Sequence, residues 1–441
     1  MCFQYLPFPG TVLSTQELFD GGSLKYHIVS LGCPKNKVDS ERFAWVMECA
    51  GWKYSKEPEE SDLVLLNTCA FIAPATEESL DYLSDIMYWK EARSGRKIVL
   101  AGCLPGRYRD DGSGGMEDID LVIGPGDWQK LSSWLGLTSD IAAQVVGSGS
   151  YRYLKIATGC NNCCAFCTIP AIRGKFVPEK MDTILRNSDL LVNQGAREIG
   201  IVAQDSGNWY QGGADITSLV ETLAARHPET WWRLYYLHPL HFPYRLLDAF
   251  AGHSNILPYI DLPVQHASSS VLDRMGRRHG VKLLETIMEK IEKSAVEVAV
   301  RYTVITGYPG ETDSDFKLLR DFLGRYPSGR HIAAFSWYPE EGTREYSRAI
   351  AMGDAVDNSI ASGRLAALSA VGDSLYADWD SRLEGREASI LADDAGTGHT
   401  VWDAPEIDAV VSFTESVESG SVVKARIVES SGAVIVAEPV R

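Results

Sequence analysis

From residue 25 onward, short apolar runs alternate with longer stretches whose apolar positions recur every three or four residues. The runs 26–31, 63–66, 98–101 and 121–123 read as strands, with helices at 40–50 and 76–88 between them. A strand covered on both faces is apolar at nearly every position, whereas a surface helix is apolar along one stripe. The pattern predicts an α/β, Rossmann-like domain with a parallel sheet over 25–146, behind a leader at 1–24 and with a Gly- and Asp-rich loop at 110–115. After a linker at 147–151, a second series places strands at 153–156, 198–203, 232–236, 259–262, 299–305 and 332–336, with helices such as 180–193 and 281–294 between them. About six β/α units predict a partial barrel over 147–376 whose reactive end is the carboxyl edge of its strands. Beyond that, the short β-rich runs 388–391, 409–413, 422–428 and 433–437, separated by Gly, Ser and acidic turns, predict a small all-β, OB-like barrel over 377–441.

Composition changes this picture little: 45% hydrophobic and 23% charged residues are those of an ordinary globular chain. No apolar run approaches the ~18 residues of a membrane span. Met1–Ser23 holds no Lys or Arg and no sustained apolar stretch, so a secretory signal is not expected and a cytoplasmic location is. Charge is more telling. The chain carries −17, and the tail from Trp379 holds twelve acidic against five basic residues, a net −7. Such a field disfavours general binding of phosphate backbones and suits a basic protein partner.

The nine cysteines stand at 2, 33, 49, 69, 103, 160, 163, 164 and 167. An odd number, four of them within eight residues, argues for metal chemistry in a reducing compartment rather than a disulfide framework. In Gly159-Cys160-Asn161-Asn162-Cys163-Cys164-Ala165-Phe166-Cys167, the C-x-x-x-C-x-x-C spacing of Cys160, Cys164 and Cys167 follows directly on a predicted strand. Three thiolates on one loop can hold three irons of a 4Fe–4S cubane and leave the fourth open, where the amino and carboxylate groups of S-adenosylmethionine can chelate. The competing reading is a zinc knuckle using Cys163 as fourth ligand, which the adjacency of Cys163 and Cys164 would strain. Cys33, Cys69 and Cys103 each follow a predicted strand of the first domain, so one parallel sheet would bring all three thiols to its carboxyl edge. Alternatively they are three separate buried cysteines packing as small hydrophobes, as Cys49 within its amphipathic helix is expected to do. Cys2 is assigned no role.

These stretches, with Val38-Asp39-Ser40-Glu41 after Cys33-Pro34-Lys35-Asn36, Arg173-Gly174, Gln204-Asp205, Pro263-Val264-Gln265-His266, Gly307-Tyr308-Pro309-Gly310-Glu311 and Ala404-Pro405-Glu406-Ile407-Asp408, resemble the radical S-adenosylmethionine methylthiotransferases along nearly the whole chain. The resemblance is closest to the RimO branch, which modifies an aspartate of ribosomal protein S-12. It implies a second 4Fe–4S cluster on Cys33, Cys69 and Cys103, a TRAM-like tail, a reductant such as flavodoxin or ferredoxin, and a sulfur donor. It further implies that one S-adenosylmethionine methylates a sulfur on the second cluster. Another then yields the radical that prepares the substrate carbon for the methylthio group.

Gln204 and Gln265 follow predicted barrel strands, where they would hold the methionine or ribose portion of S-adenosylmethionine or else form a buried turn network. Glu311 lies in a segment resembling the family's ribose or adenine site; otherwise it is a carboxylate favoured near a helix start. Asp403, Glu406 and Asp408 are the expected contacts to the basic ribosomal protein, or a solvated acidic surface. Two departures stand out: Gly398-His399-Thr400 has histidine where the family has arginine, and 345–357 lacks a Leu-x-Asp-Gln-Val-Pro run. The alternative substrate is a tRNA adenosine beside the anticodon, the sister branch. Against it stand the acidic tail and the Cys-Pro-Lys-Asn motif, where that branch typically shows Cys-Gln-Met-Asn. A non-enzymatic iron–sulfur or zinc scaffold for a ribosomal partner is the third reading.

Overall fold

The computed structural model describes residues 24–108, 118–137, 147 and 149–440. The leader (1–23), Cys2 and the loop at 110–115 lie outside them. The first domain is a five-stranded parallel sheet in the order Lys53–Tyr54, Lys25–Ser30, Leu63–Thr68, Lys97–Gly102, Leu121–Ile123. Alternation along the strands sends Val64, Leu66, Ile98 and Leu100 toward the helix Ala73–Glu91 and its Ile86. Leu63, Leu65, Val99 and Ala101 face Phe43, Val46 and Met47 of the helix Pro34–Cys49, with Leu131 beside them. Both faces are therefore covered, which is why these strands read as unbroken apolar runs.

The second domain contains two three-stranded parallel sheets. Tyr151–Lys155, Glu198–Val202 and Trp231–Leu234 form one, Tyr259–Gln265, Ala299–Thr306 and Gly329–Ser336 the other. A single parallel bridge between Trp232 and Ile256 connects the first sheet to the segment entering the second. The result is a six-stranded open barrel with all carboxyl ends at one mouth. Each open edge is covered: Pro34–Cys49 lies along Tyr151–Lys155, and the helix Asn358–Leu383 packs on Gly329–Ser336, where buried Trp379 donates to the Gly329 carbonyl at 2.8 Å. That helix runs through the expected junction at 376/377. The tail is a closed barrel in the order Glu387–Ala392, Thr397–Thr400, Val410–Phe413, Val434–Pro439, Val422–Ser431. No helix among the described residues is long and apolar enough to cross a membrane.

Polar contacts lock the units together. Along the helix Pro34–Cys49, Asp39 pairs with Lys155, and Glu41 accepts from Arg152 at 3.0 Å, all four side chains being buried. Glu340, from the loop after the last barrel strand, accepts the Ala73 backbone N–H at 2.7 Å and pairs with Arg107 at 2.8 Å. It thereby satisfies one of the free N–H groups that open a helix of the first domain.

The segment 399–408 of the tail seals the barrel at the amino ends of its strands. His399 contacts Glu198 at 2.9 Å, while Arg233 donates to the carbonyls of Thr400 and Val401. Asp403 is fully buried between Arg330 (2.9 Å), Thr400 and His331 (3.4 Å). Asp408, whose side chain is equally buried, takes Arg301, the Tyr259 hydroxyl (2.7 Å) and the Ala404 N–H (2.9 Å). The expectation that Asp403 and Asp408 form a partner-facing surface is therefore corrected. Both carboxylates bond to cations of the barrel, at the end away from the cysteines. Glu406 alone keeps an accessible side chain, 35% exposed and paired with Lys37 at 3.2 Å.

Candidate functional site

Sheet register explains why the first three cysteines meet. Ser30 stands opposite Asn67, and Asn67 opposite Ala101, so the three strands end level. Cys33, Cys69 and Cys103 follow within two or three residues. The strands bearing Cys33 and Cys69 flank the point where strand order reverses, the position at which open α/β sheets form a crevice. Gly32 makes the approach possible: its φ is +90°, and a Cβ there would stand 2.9 Å from that of Cys69. The Asn36 side chain oxygen lies 3.8 Å from both the Cys33 and the Cys103 sulfur.

The second thiol set is presented by the loop after Tyr151–Lys155. Gly159, with φ +77°, lets the chain pass close to the Lys175 carbonyl, whose oxygen would lie 2.1 Å from a Cβ at this position. The loop is pinned by Cys160 N–H to Gly174 O (3.1 Å), Ala165 N–H to Met275 O (2.8 Å), and the Asn162 side chain to Asp205 (2.7 Å). Arg277 donates to the Cys164 sulfur at 3.4 Å. Cys160, Cys164 and Cys167 are partly buried and close enough to interact electrostatically; Cys163 is exposed.

Burial, then the neighbouring Cys164, pushes the Cys167 thiol up to about 12; burial likewise raises Cys160. Among the other three, burial takes Cys69 up to about 12 and also raises Cys103. At Cys33 burial acts the same way, but Lys35 and Arg173 outweigh it and hold the thiol below its ordinary value. Clustered thiols of this kind cannot all ionise unless a cation lies between them. Each donor set therefore fits a metal cluster on its own chemistry.

Arg173 joins the two sets. It ends the helix Ile169–Arg173, six residues past Cys167, and lies 3.6 Å from the Cys103 sulfur while bonding Asn36 and Asp39. Burial alone would raise Asp39, but Lys155 and Arg173 hold it below the usual carboxylate range.

Gln204 and Gln265 lie just past or at their strand ends, at the mouth. Both amide atoms of Gln204 and the oxygen of Gln265 are buried without a partner, and Gln265 has φ +66°. Orphaned polar atoms beside a cysteine loop are suited to a polar ligand. Glu311 differs: it accepts from the Thr306 hydroxyl (3.1 Å) and the Tyr308 N–H (2.9 Å), with Arg364 at 3.4 Å, and so braces the turn at 307–310. The following helix is capped independently by Thr312 and Asp315.

Sequence reasoning passed over several histidines here. Donor atoms of Asp205, His238 and His241 lie within 4.8 Å of one another. Nδ1 of His238, however, accepts the Leu240 N–H, so its proton sits on Nε2, which becomes a donor rather than a metal ligand. Their only sequence signal was position after a barrel strand.

Two family models match: "Uncharacterized protein family UPF0004" over residues 25–124 and "Radical SAM superfamily" over residues 154–323. The ribosomal protein uS12 methylthiotransferase RimO of Aquifex aeolicus is 33% identical over 425 residues, covering 92% of this chain and 95% of the relative. The chain belongs to the RimO methylthiotransferase family. A second RimO, from Carboxydothermus hydrogenoformans, is 33% identical over 88% of this chain and 93% of its own. The radical S-adenosylmethionine methyltransferase TsrM of Kitasatospora setae, solved with cobalamin and a 4Fe-4S cluster, superposes with a TM-score of 0.55 over 75% of this chain and 78% of its own. At 13% identity, that likeness establishes the shared fold alone. RimO membership makes this chain a methylthiotransferase, and the two family models meet across the gap that Arg173 and Asp39 bridge.

Proposed function

We propose that this chain transfers a methylthio group to the β-carbon of an aspartate in ribosomal protein uS12. The observation that carries the reading is the convergence of two three-thiol sets, linked by Arg173, from the carboxyl edges of two parallel sheets. Cys160, Cys164 and Cys167 would hold one 4Fe–4S cluster and Cys33, Cys69 and Cys103 another, three ligands leaving one iron of each open. When bound, the first cluster supplies the electron that cleaves S-adenosylmethionine, and the second the site from which the methylthio group leaves.

The chain's own groups do the positioning. Arg277 and Arg173 place positive charge against Cys164 and Cys103, offsetting the thiolates on each side. Gln204 and Gln265 offer unpartnered amide atoms to the polar parts of S-adenosylmethionine. The packed barrel behind them, with Tyr235, Leu237 and Val264 buried, keeps water from the mouth. The electron donor is a small low-potential protein such as flavodoxin or ferredoxin, and the inserted sulfur comes from a separate donor.

The relatives named for uS12 support this substrate, as does the acidic tail, which suits a basic ribosomal protein. The test is mass spectrometry of uS12 and of bulk tRNA from cells lacking this chain. Loss of the methylthio mass from uS12 is expected. Loss from tRNA, with uS12 unchanged, would overturn the assignment.

A further inference from the structure

Lys35 is the second residue of the helix Pro34–Cys49, between Cys33 and Asn36, and its side chain crosses from the first domain to the barrel mouth. It is only 7% exposed. Its ammonium stands 3.3 Å from the centre of the Tyr236 ring, in the turn after the strand Trp231–Leu234, at a backbone φ of +61°. A bulky residue is rarely held in that left-handed region, so the surrounding structure fixes the ring there. Among the described residues, no carboxylate lies within 4 Å of the ammonium and no acceptor takes its N–H groups.

The other buried cations around the two thiol sets are engaged. Arg173 bonds Asp39, Asn36 and Cys103, and Lys155 bonds Asp39. Arg152 holds Glu41, and Arg277 holds Cys164 and the Pro263 carbonyl. A π face steadies an ammonium from one side and leaves its N–H donors unanswered. The anionic groups that act on it from a distance, Cys33 first and then Asp261, take none of its N–H groups, so those donors stay free for a further anion.

We propose that Lys35 receives the side-chain carboxylate of the substrate aspartate, and so selects an acidic side chain over an amide or a base. This rests on the aspartate reading of the function. The carboxylate carbon is bonded directly to the β-carbon. A carboxylate anchored on Lys35 therefore holds the reacting carbon one bond away, on the side of the chain that carries Cys33. An asparagine would present an NH2 group and no charge to the ammonium, and an adenine has no anionic group to offer it.

The test uses the reconstituted full-length protein with two forms of uS12, one carrying the target aspartate and one with asparagine in its place. Binding is measured by anisotropy in the absence of reductant. The wild-type protein should prefer the aspartate form about tenfold, the factor set by ~1.4 kcal/mol. Lys35→Gln should bind both forms alike, and Lys35→Arg should restore part of the preference. If Lys35 instead only compensates cluster charge, Lys35→Gln keeps the preference and shifts the reduction potential, which overturns the proposal. Wild-type protein that binds both forms tightly and equally overturns it too, whatever the variants do. Wild-type protein that binds neither form overturns the aspartate reading itself, and this inference with it.

Discussion

Arg173 stands 3.6 Å from the sulfur of Cys103, although the two residues belong to different domains and lie seventy positions apart. The same guanidinium bonds Asp39 at 3.2 Å, which Lys155 shares. A residue just behind one cysteine loop is therefore part of the wall of the other thiol set, and the two sites are built as one.

That geometry makes a graded prediction for the first domain. Replacing Cys33, Cys69 and Cys103 together with Ala should leave about half the iron, since one cubane holds about four. Such a variant should still form 5′-deoxyadenosine but transfer no methylthio group. Arg173→Met should lower iron in the same direction while leaving reductive cleavage intact. Iron assay and product chromatography read both outcomes. Wild-type protein that reconstitutes with only about four irons per chain would sink the two-cluster reading.

Within the cysteine loop, the four thiols should separate cleanly. Cys160→Ala, Cys164→Ala or Cys167→Ala should each abolish reductive cleavage of S-adenosylmethionine. Cys163→Ala should retain it, because Cys163 is exposed while the others are partly buried. A Cys163→Ala protein as devoid of cluster as the other three would favour the zinc-like ligation.

His399 predicts a pH dependence. Burial acts against its charged form, but Glu198 and Asp393 outweigh burial and take its pKa up to about 9. The folded value lies above the unfolded one. The stabilisation is therefore fully present below about pH 6.5 and is lost as pH rises through about 9. At ~1.4 kcal/mol per unit, the ring contributes at most about 3 kcal/mol. Urea midpoints measured from pH 6 to 10 should fall across that window, and His399→Arg should flatten the profile. Histidine thus keeps a cation where the family has arginine, and the contact it makes is with the barrel.

The tail carboxylates should separate into two classes. Asp408→Asn leaves Arg301, only 17% exposed, without its ion-pair partner and should cost about 3 kcal/mol, the lower end for breaking buried pairs. Glu406→Gln removes only the half-exposed pair with Lys37, worth less than about 1 kcal/mol. Denaturant midpoints would show it. Equal small effects at both positions would mean that Asp408 is not the buried anchor described.

The strands were legible in the sequence because parallel sheets covered on both faces write apolar runs, and the thiol sets because each follows a strand end. The amino half of the helix Pro34–Cys49 was not. Asn36, Asp39, Ser40 and Glu41 are buried against polar partners and Lys35 over the Tyr236 ring, so no apolar stripe marks it. The strand Thr397–Thr400 was missed for a related reason: its Gly-His-Thr residues are buried by pairing and by Glu198 rather than by apolar packing. Asp403 and Asp408 looked like surface charge because their cations, Arg330 and Arg301, lie about a hundred or fewer residues earlier in the chain, and nothing local announces them.

The contact between Glu340 and Ala73 also has a consequence for the nascent chain. Domains generally fold in the order they leave the ribosome. Here the helix Ala73–Glu91 emerges long before the residue that completes its first turn, which arrives only after the last barrel strand. Until then, that turn keeps an unanswered N–H beside Arg107, whose carboxylate partner is also still to come. The first domain should remain open at that corner throughout most of translation. The cysteine-bearing edge would gain its final rigidity only when the barrel closes against it.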